Sequence, residues 1–337
     1  GIFHRVTSKS YTIFFRGGIF LAYTALYRKF RPLRFDDMVG QEAITRTLKN
    51  QIIAGRTGHA YLFNGGRGTG KTTSAKILAR AVNCLNPKDG EPCNECEICK
   101  AALAGSLTDI VEMDAASNNS VDDIRSIRDE VNFLPTLAKY RVYIIDEVHM
   151  LSTGAFNALL KTLEEPPEYV IIILIVSNES KLLNTVKSRC VKIEFSKLTN
   201  EEINNYLQGC GASKLSNTLL EQCDGSLKKA LTIGDKAQDY ETVEKIINNL
   251  DKVDIAKVWN SADLLYKSQD EILDFLDYIN VVLYNKLIEK DKMAYINSIN
   301  VVEQTKKNLL ANANYNMCID NLLLKLWEEF NEQNNRG

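Results

Sequence analysis

The eight residues Gly65-Gly66-Arg67-Gly68-Thr69-Gly70-Lys71-Thr72 constrain this chain more than any other stretch. They satisfy G-x-x-x-x-G-K-[ST], a loop whose glycines let successive backbone N–H groups turn inward around an anion. In this pattern the lysine reaches the outer phosphates of a nucleotide and the following hydroxyl ligates Mg²⁺. The loop therefore predicts a nucleotide site at 65–73, with Lys71 on the β- and γ-phosphates, Thr72 on the metal and Thr73 completing the turn. Such a loop joins a strand to a helix, because the helix N-terminus itself favours negative charge. The flanks comply. Tyr61-Leu62-Phe63-Asn64 reads as a short buried strand, and 73–82 as a helix with Ile77, Leu78 and Val82 at helical spacing.

A phosphate loop needs an acidic partner. Val142-Tyr143-Ile144-Ile145-Asp146-Glu147 supplies one: a strand apolar on both faces, as in a parallel sheet, ending in two carboxylates. Ligands bind at the C-terminal ends of strands in open α/β sheets. Asp146 is expected to hold Mg²⁺ through water, and Glu147 to orient or deprotonate an attacking water.

Strand patterns recur at 61–64, 110–113, 142–145, 170–176 and 191–195, with helical patterns at 41–54, 72–83, 120–131 and 153–164 between them. This alternation predicts an α/β domain with a five-stranded parallel sheet and helices on both faces. Near Leu198-Thr199-Asn200 a capping residue opens a new helix, and no strand pattern survives beyond it. The expected division is an N-terminal extension at 1–22, a nucleotide-binding domain at 23–198, a small helical domain at 199–240 and an all-α domain at 241–337. In the last, Leu309, Leu310, Ile319, Leu322, Leu323, Leu324, Leu326 and Trp327 are expected to form one apolar helical face packed as core.

Of the eight cysteines, four are clustered, at Cys84, Cys93, Cys96 and Cys99. Four thiolates on a short, turn-rich loop suit a tetrahedral, structural Zn²⁺ with Zn–S of about 2.3 Å. An iron–sulfur cluster is the other ligand this spacing accepts. Two disulfides fit less well beside four further scattered, free-looking cysteines, which point to a reducing compartment.

Charge is uneven. Residues 1–35 hold seven of the 41 Lys and Arg and no acid, leaving 34 basic residues against 43 acidic ones in the rest. A body that acidic does not attract DNA by its overall field, so contact with DNA must be a local patch or be shared with partners. No run approaches the length of a membrane span; the longest, 170–176, is a strand. The basic, aromatic segment 1–22 reads as upstream in-frame translation, with a targeting segment or an added tail as the alternatives.

Taken together these residues resemble the AAA+ ATPases, and more narrowly the clamp-loader subunits of bacterial DNA polymerase III. The gamma/tau type is matched by Tyr27-Arg28-Lys29-Phe30-Arg31-Pro32, Phe35, Val39-Gly40-Gln41, His59-Ala60-Tyr61-Leu62-Phe63 and the phosphate loop. It is matched further by the four-cysteine insertion, Asp114-Ala115-Ala116-Ser117, Asp146-Glu147-Val148-His149-Met150-Leu151 and 157–168. After about residue 170 the delta-prime type is matched at least as well, by 182–190 and by the tail around 305–314 with the helix that follows. The shift suggests a join of two subunit sequences inside the shared stretch 159–168.

The resemblance implies ATP and Mg²⁺ as ligands and a zinc module at 84–99. It implies a helical lid at 199–240 and a collar at 241–337 that assembles with gamma/tau, delta and delta-prime subunits in a hetero-pentamer. Sliding clamp and primer–template DNA are the implied partners, and the bacterial cytoplasm, at the nucleoid and replisome, the implied location. It also assigns Ser177 (or Asn178) to the position that senses the γ-phosphate, and Arg189 of Ser188-Arg189-Cys190 to a finger reaching a neighbour's ATP. In the lid, Lys228 stands where the gamma/tau pattern has the sensor-2 Arg, and lysine lacks the bidentate fork with which that arginine would sense the γ-phosphate. Two functions follow: an ATP-hydrolysing loader subunit, or a delta-prime-like structural subunit with little turnover of its own that lends Arg189 in trans. A helicase-type AAA+ protein is disfavoured by the cysteine insertion and the Ser-Arg-Cys motif, and no polymerase-type carboxylate set is present.

Overall fold

The computed structural model describes residues 31–250, 252, 254–290 and 293–331. The extension 1–22 and the matched residues Tyr27 to Phe30 lie outside them.

Five strands, β1 (Ala60–Gly65), β2 (Ile110–Asp114), β3 (Arg141–Asp146), β4 (Val170–Val176) and β5 (Val191–Phe195), form one sheet in the order β2-β3-β4-β1-β5. Every pairing is parallel, as the alternation of patterns requires. Between the strands run α1 (Glu42–Ile53), α2 (Lys71–Asn83), α3 (Glu97–Leu103), α4 (Val121–Glu130) and α5 (Thr153–Glu164). α1 precedes β1, and α2 follows it directly.

Side chains alternate across a strand, so each strand serves two layers. Leu62, Tyr143, Ile145, Ile172 and Leu174 pack with Ile124 and Ile127 of α4 and Leu159 of α5. Their neighbours Tyr61, Phe63, Val142, Ile144, Ile171 and Ile173 pack on the other face with Leu48 of α1 and Ile77 and Leu78 of α2. Each such aliphatic side chain contributes about 1.5–3 kcal/mol on burial. All of β4 is buried, which is why its sequence shows no polar alternation. β5 is paired only with β1 and exposes Val191, Lys192 and Glu194; charges on an edge discourage further strand pairing.

The chain divides into two compact units. One runs to Tyr206 and also includes Gly225–Lys228; the other is Leu207–Asp224 and everything from Lys229 onward. The first thus carries the short turn of the expected lid. In the second, the described elements are all helices, with α6 (Ile272–Lys290), α7 (Met293–Leu310) and α8 (Tyr315–Asn331) the longest. Phe275, Leu276, Ile279, Leu283, Val302, Ile319, Leu322, Leu323 and Leu326 form its core, and Tyr240 meets Phe275 edge-on at 4.9 Å between ring centroids. Two members of the expected apolar face depart from it. Leu310 is 68% exposed and Leu324 38%, because Leu310 ends α7 and Leu324 is two residues past the buried Leu322, on the opposite side of α8. Among the described residues no helix is long and apolar enough to cross a membrane.

Candidate functional site

β1 ends at Gly65 and α2 starts at Lys71, so the chain must wrap back on itself in the residues between. Gly68 (φ 78°) and Gly70 (φ 100°) take left-handed conformations that residues with a side chain rarely adopt. A side chain at Gly68 would also strike Ser226 Oγ and lie 3.2 Å from Lys228 Cβ. The turn holding Lys228 is therefore packed directly on the phosphate loop. Thr69 Oγ1 donates to Gly66 O at 2.9 Å, closing the loop from within.

Lys71 is 7% exposed, and its Nζ donates to Gly65 O and Gly66 O, both at 2.6 Å. Burial pulls its pKa down, while the carboxylates of Asp146 and Glu147 pull it back up. Thr72 Oγ1 donates to Asp146 Oδ2 at 2.8 Å. This bond joins the first turn of α2 to the last residue of β3, two strand positions away in the sheet. The other oxygen, Oδ1, accepts the Glu147 N–H at 2.8 Å.

Glu147 follows with φ 48° and ψ 42°. Arg67 Nε and Nη2 both donate to its Oε1 at 3.2 Å. Ser177 Oγ, just past β4, reaches Oε2 at 3.1 Å and Oε1 at 3.3 Å. His149 Nδ1 lies 3.4 Å from Oε2 but is buried without a hydrogen bond. Of the two expected candidates after β4, Ser177 is the one at the site; the Asn178 side chain instead accepts the Ser180 N–H at 2.9 Å. Thr73, the next residue of α2, is half-buried.

Arg189 does not join this group. Its Nη1 donates to Thr185 O at 2.7 Å and its Nη2 to Glu164 Oε1 at 2.8 Å, both outside the phosphate site.

The cysteines converge. The Sγ atoms of Cys84, Cys93, Cys96 and Cys99 all lie within 4.8 Å of one another; a tetrahedral Zn²⁺ site needs sulfurs about 3.8 Å apart. Backbone N–H groups already point at the sulfurs: Cys93 N to Cys84 Sγ at 3.2 Å, Cys96 N to Cys93 Sγ at 3.3 Å and Cys99 N to Cys96 Sγ at 3.4 Å. The Glu95 backbone N–H is the largest influence bringing the Cys93 thiol down to about 6, whereas burial pushes Cys84 and Cys99 up. No cysteine is in a disulfide. The donor set is compatible with zinc.

Several residues around these sites carried no sequence signal. Glu91 is 1% exposed; it accepts the N–H groups of Phe35 at 2.8 Å and Asp36 at 3.0 Å and lies 3.3 Å from Lys49 Nζ. It ties the cysteine loop to the start of the domain. Asp109 accepts three N–H groups, from Thr136, Leu137 and Ala138, at 2.7–2.9 Å. Asn83, the last residue of α2, clasps Tyr140 through both backbone groups at 2.7 and 3.0 Å. The role of Arg67 on Glu147 was equally hidden. A pattern marks residue types in one stretch, whereas these contacts join stretches 27–80 residues apart.

A family model described as "DNA polymerase III, delta subunit" matches residues 40–199. The chain is 51% identical over 227 residues to DNA polymerase III subunit tau of Bacillus subtilis, covering 65% of this chain and 40% of that protein. It is 34% identical over 330 residues to DNA polymerase III subunit gamma/tau of Mycoplasma genitalium, covering 90% of this chain and 55% of that one. One relative thus matches the chain on both sides of 159–168. A solved structure of a DNA polymerase III gamma subunit-related protein from Thermotoga maritima aligns at TM-score 0.48 and 21% identity, over 84% of this chain and 98% of that one; a likeness this slight adds no weight. The chain spans about half, or less, of the length of the curated relatives named. By sequence identity, then, the chain is similar to the tau and gamma/tau subunits of DNA polymerase III.

Proposed function

We propose that the chain is an ATP-binding and ATP-hydrolysing subunit of the bacterial DNA polymerase III clamp-loader complex, which loads the sliding clamp onto primed DNA. One observation carries this reading: the 2.8 Å bond from Thr72 to Asp146, which unites the phosphate loop with the acidic strand end beside Glu147. Relatedness to tau and gamma/tau subunits supplies the assembly.

Residues 65–73 wrap the phosphates with backbone N–H groups, and Lys71 turns from two carbonyls to the β- and γ-phosphates. Thr72 and Asp146 are the residues that would hold Mg²⁺, which when bound neutralises charge on the phosphate oxygens. Glu147 aligns a water for in-line attack on the γ-phosphorus and takes its proton. Ser177 and Arg67 fix the carboxylate that does so. Arg189 serves a neighbouring subunit's ATP, leaving Glu164 and Thr185 to do it. Cys84, Cys93, Cys96 and Cys99 hold a structural Zn²⁺. Residues 23–198 form the ATPase domain, 199–240 the lid and 241–337 the collar that meets gamma/tau, delta and delta-prime subunits, in the bacterial cytoplasm.

The second reading, a delta-prime-like subunit with little turnover, draws support from one feature. The Glu147 carboxylate is engaged by both Arg67 and Ser177, which leaves it few lone pairs for water. Equilibrium ATP binding by the chain, followed by steady-state turnover with partner subunits, separates the two. Binding with turnover supports the loader motor, and binding without it the structural subunit. Undiminished ATP binding by Lys71→Ala refutes the nucleotide site.

A further inference from the structure

Arg80, in the last turn of α2, is 5% exposed. Its Nη2 donates to Leu33 O at 2.9 Å and its Nε to Asn94 Oδ1 at 3.3 Å. Both acceptors are neutral. Among the described residues no carboxylate forms an ion pair with it. A guanidinium withdrawn from water in this way is costly unless an anion faces it.

The cysteine cluster adjoins Arg80 through the same helix and through Asn94. Cys84 caps the same helix four residues on, and Asn94, which holds Arg80, sits between Cys93 and Cys96. Burial is the largest influence on the Arg80 pKa and pulls it down, with a charged Cys99 opposing it and Arg31 adding to it. Four thiolates around one Zn²⁺ leave a net charge of about −2, itself costly in a site where Cys99 is buried and Cys84, Cys93 and Cys96 are half-buried. Two unfavourable burials, of opposite sign, adjoin.

We propose that Arg80 is the counter-cation of a tetrathiolate zinc centre formed by Cys84, Cys93, Cys96 and Cys99, so that zinc affinity and the Arg80 charge are coupled. The inference rests on the zinc reading of that cluster. Metal and guanidinium stabilise each other: the loaded site holds the cation in place, and the cation lowers the free energy of the charged site. Because Arg80 lies on α2, the helix that begins at Lys71, the metal centre is anchored to the element that presents the phosphate loop.

The test is zinc affinity of the full chain, measured by competition with a chromophoric chelator, for wild type, Arg80→Met and Arg80→Lys. Arg80→Met keeps the aliphatic length and removes the charge. It is expected to weaken zinc binding about 10–100-fold, the usual range for outer-shell partners. Arg80→Lys loses the planar donors but keeps the charge, and should stay within a few-fold of wild type. Substituted Co²⁺ should show the same tetrathiolate absorption bands in all three, since the ligands are unchanged. Metal-free Arg80→Met should be at least as thermostable as metal-free wild type, because it no longer buries an uncompensated cation. Equal zinc affinity of wild type and Arg80→Met overturns the proposal. So does a Lys variant as weak as Met, which would make the hydrogen bonds, not the charge, responsible. A wild-type chain that binds no zinc overturns the zinc reading itself, and the coupling with it.

Discussion

At its N-terminal end α2 meets a loop of glycines that offers backbone N–H groups and one lysine; at its C-terminal end it meets Cys84, and beyond it three more thiols on the following loop and the start of α3. Both ends gather charge, but by different means. The phosphate end has donors that belong to the main chain, an ammonium parked on two carbonyls, and carboxylates contributed by β3. None of these fills a closed shell, so on the proposed reading a nucleotide can enter, react and leave. At the cysteine end the protein supplies four ligand atoms of its own, which matches the full coordination of a structural zinc and leaves no position for a substrate. One helix therefore links a site built for exchange to a site built for permanence.

The contrast can be broken most sharply from outside the phosphate site. Arg189→Ala should slow ATP hydrolysis by the assembled complex about 10³–10⁵-fold, while ATP affinity and zinc content stay as in wild type; steady-state turnover and metal analysis check both. Glu147→Gln should lower turnover about 10²–10⁴-fold with ATP binding retained, again without effect on the cysteine end, as single-turnover assays with radiolabelled ATP would report. Leu78→Ala tests the link itself. Leu78 is fully buried midway along α2, so its truncation should cost about 2–5 kcal/mol in denaturant unfolding and weaken binding at both ends together. Unequal weakening would mean that the two sites are held by separate elements.

The smallest effect is pH-dependent. Burial would raise the Asp109 pKa, but the Thr136, Leu137 and Ala138 N–H groups, with Arg141 nearby, hold it below the usual carboxyl range. A carboxyl that ionises more readily folded than unfolded stabilises the fold fully above the ordinary carboxyl range. That stabilisation is lost as pH falls through the folded value. Asp109→Asn should remove roughly 1–3 kcal/mol at neutral pH and flatten the acid limb of stability against pH. The loop it holds continues to Tyr140, which Asn83 clasps at the end of α2, so the loss belongs to the cysteine end. A variant with the wild-type acid limb would show that the three N–H groups do not favour the charged form.

Most of the sheet could be read from the sequence, since strands such as 142–145 and 170–176 are apolar on both faces and β4 needs no alternation. Lys71, Thr72, Asp146 and the four cysteines were legible for a related reason: the chemistry of phosphate and metal fixes residue types at short spacings. The cage around Glu147 was not. Arg67 and Ser177 reach it from different strand ends, and only the sheet order, with β4 between β1 and β3, brings them together. Glu91, Arg80 and Asp109 look like surface charges in one dimension; their burial follows from the loops folding over them. The return of Gly225–Lys228 to the first unit had no residue pattern behind it; only the resemblance, which put Lys228 in a sensing place of the lid, pointed to the phosphate loop.

Glu147 has a left-handed backbone, φ 48°. Such a conformation costs a residue with a long side chain about 1–3 kcal/mol, whereas glycine or asparagine takes it with ease. Evolution working on stability alone would write Asn or Gly at this position. The strain at Glu147 is thus of a kind that stability alone would remove, and a thermostability screen blind to activity would be expected to replace it with Asn or Gly early.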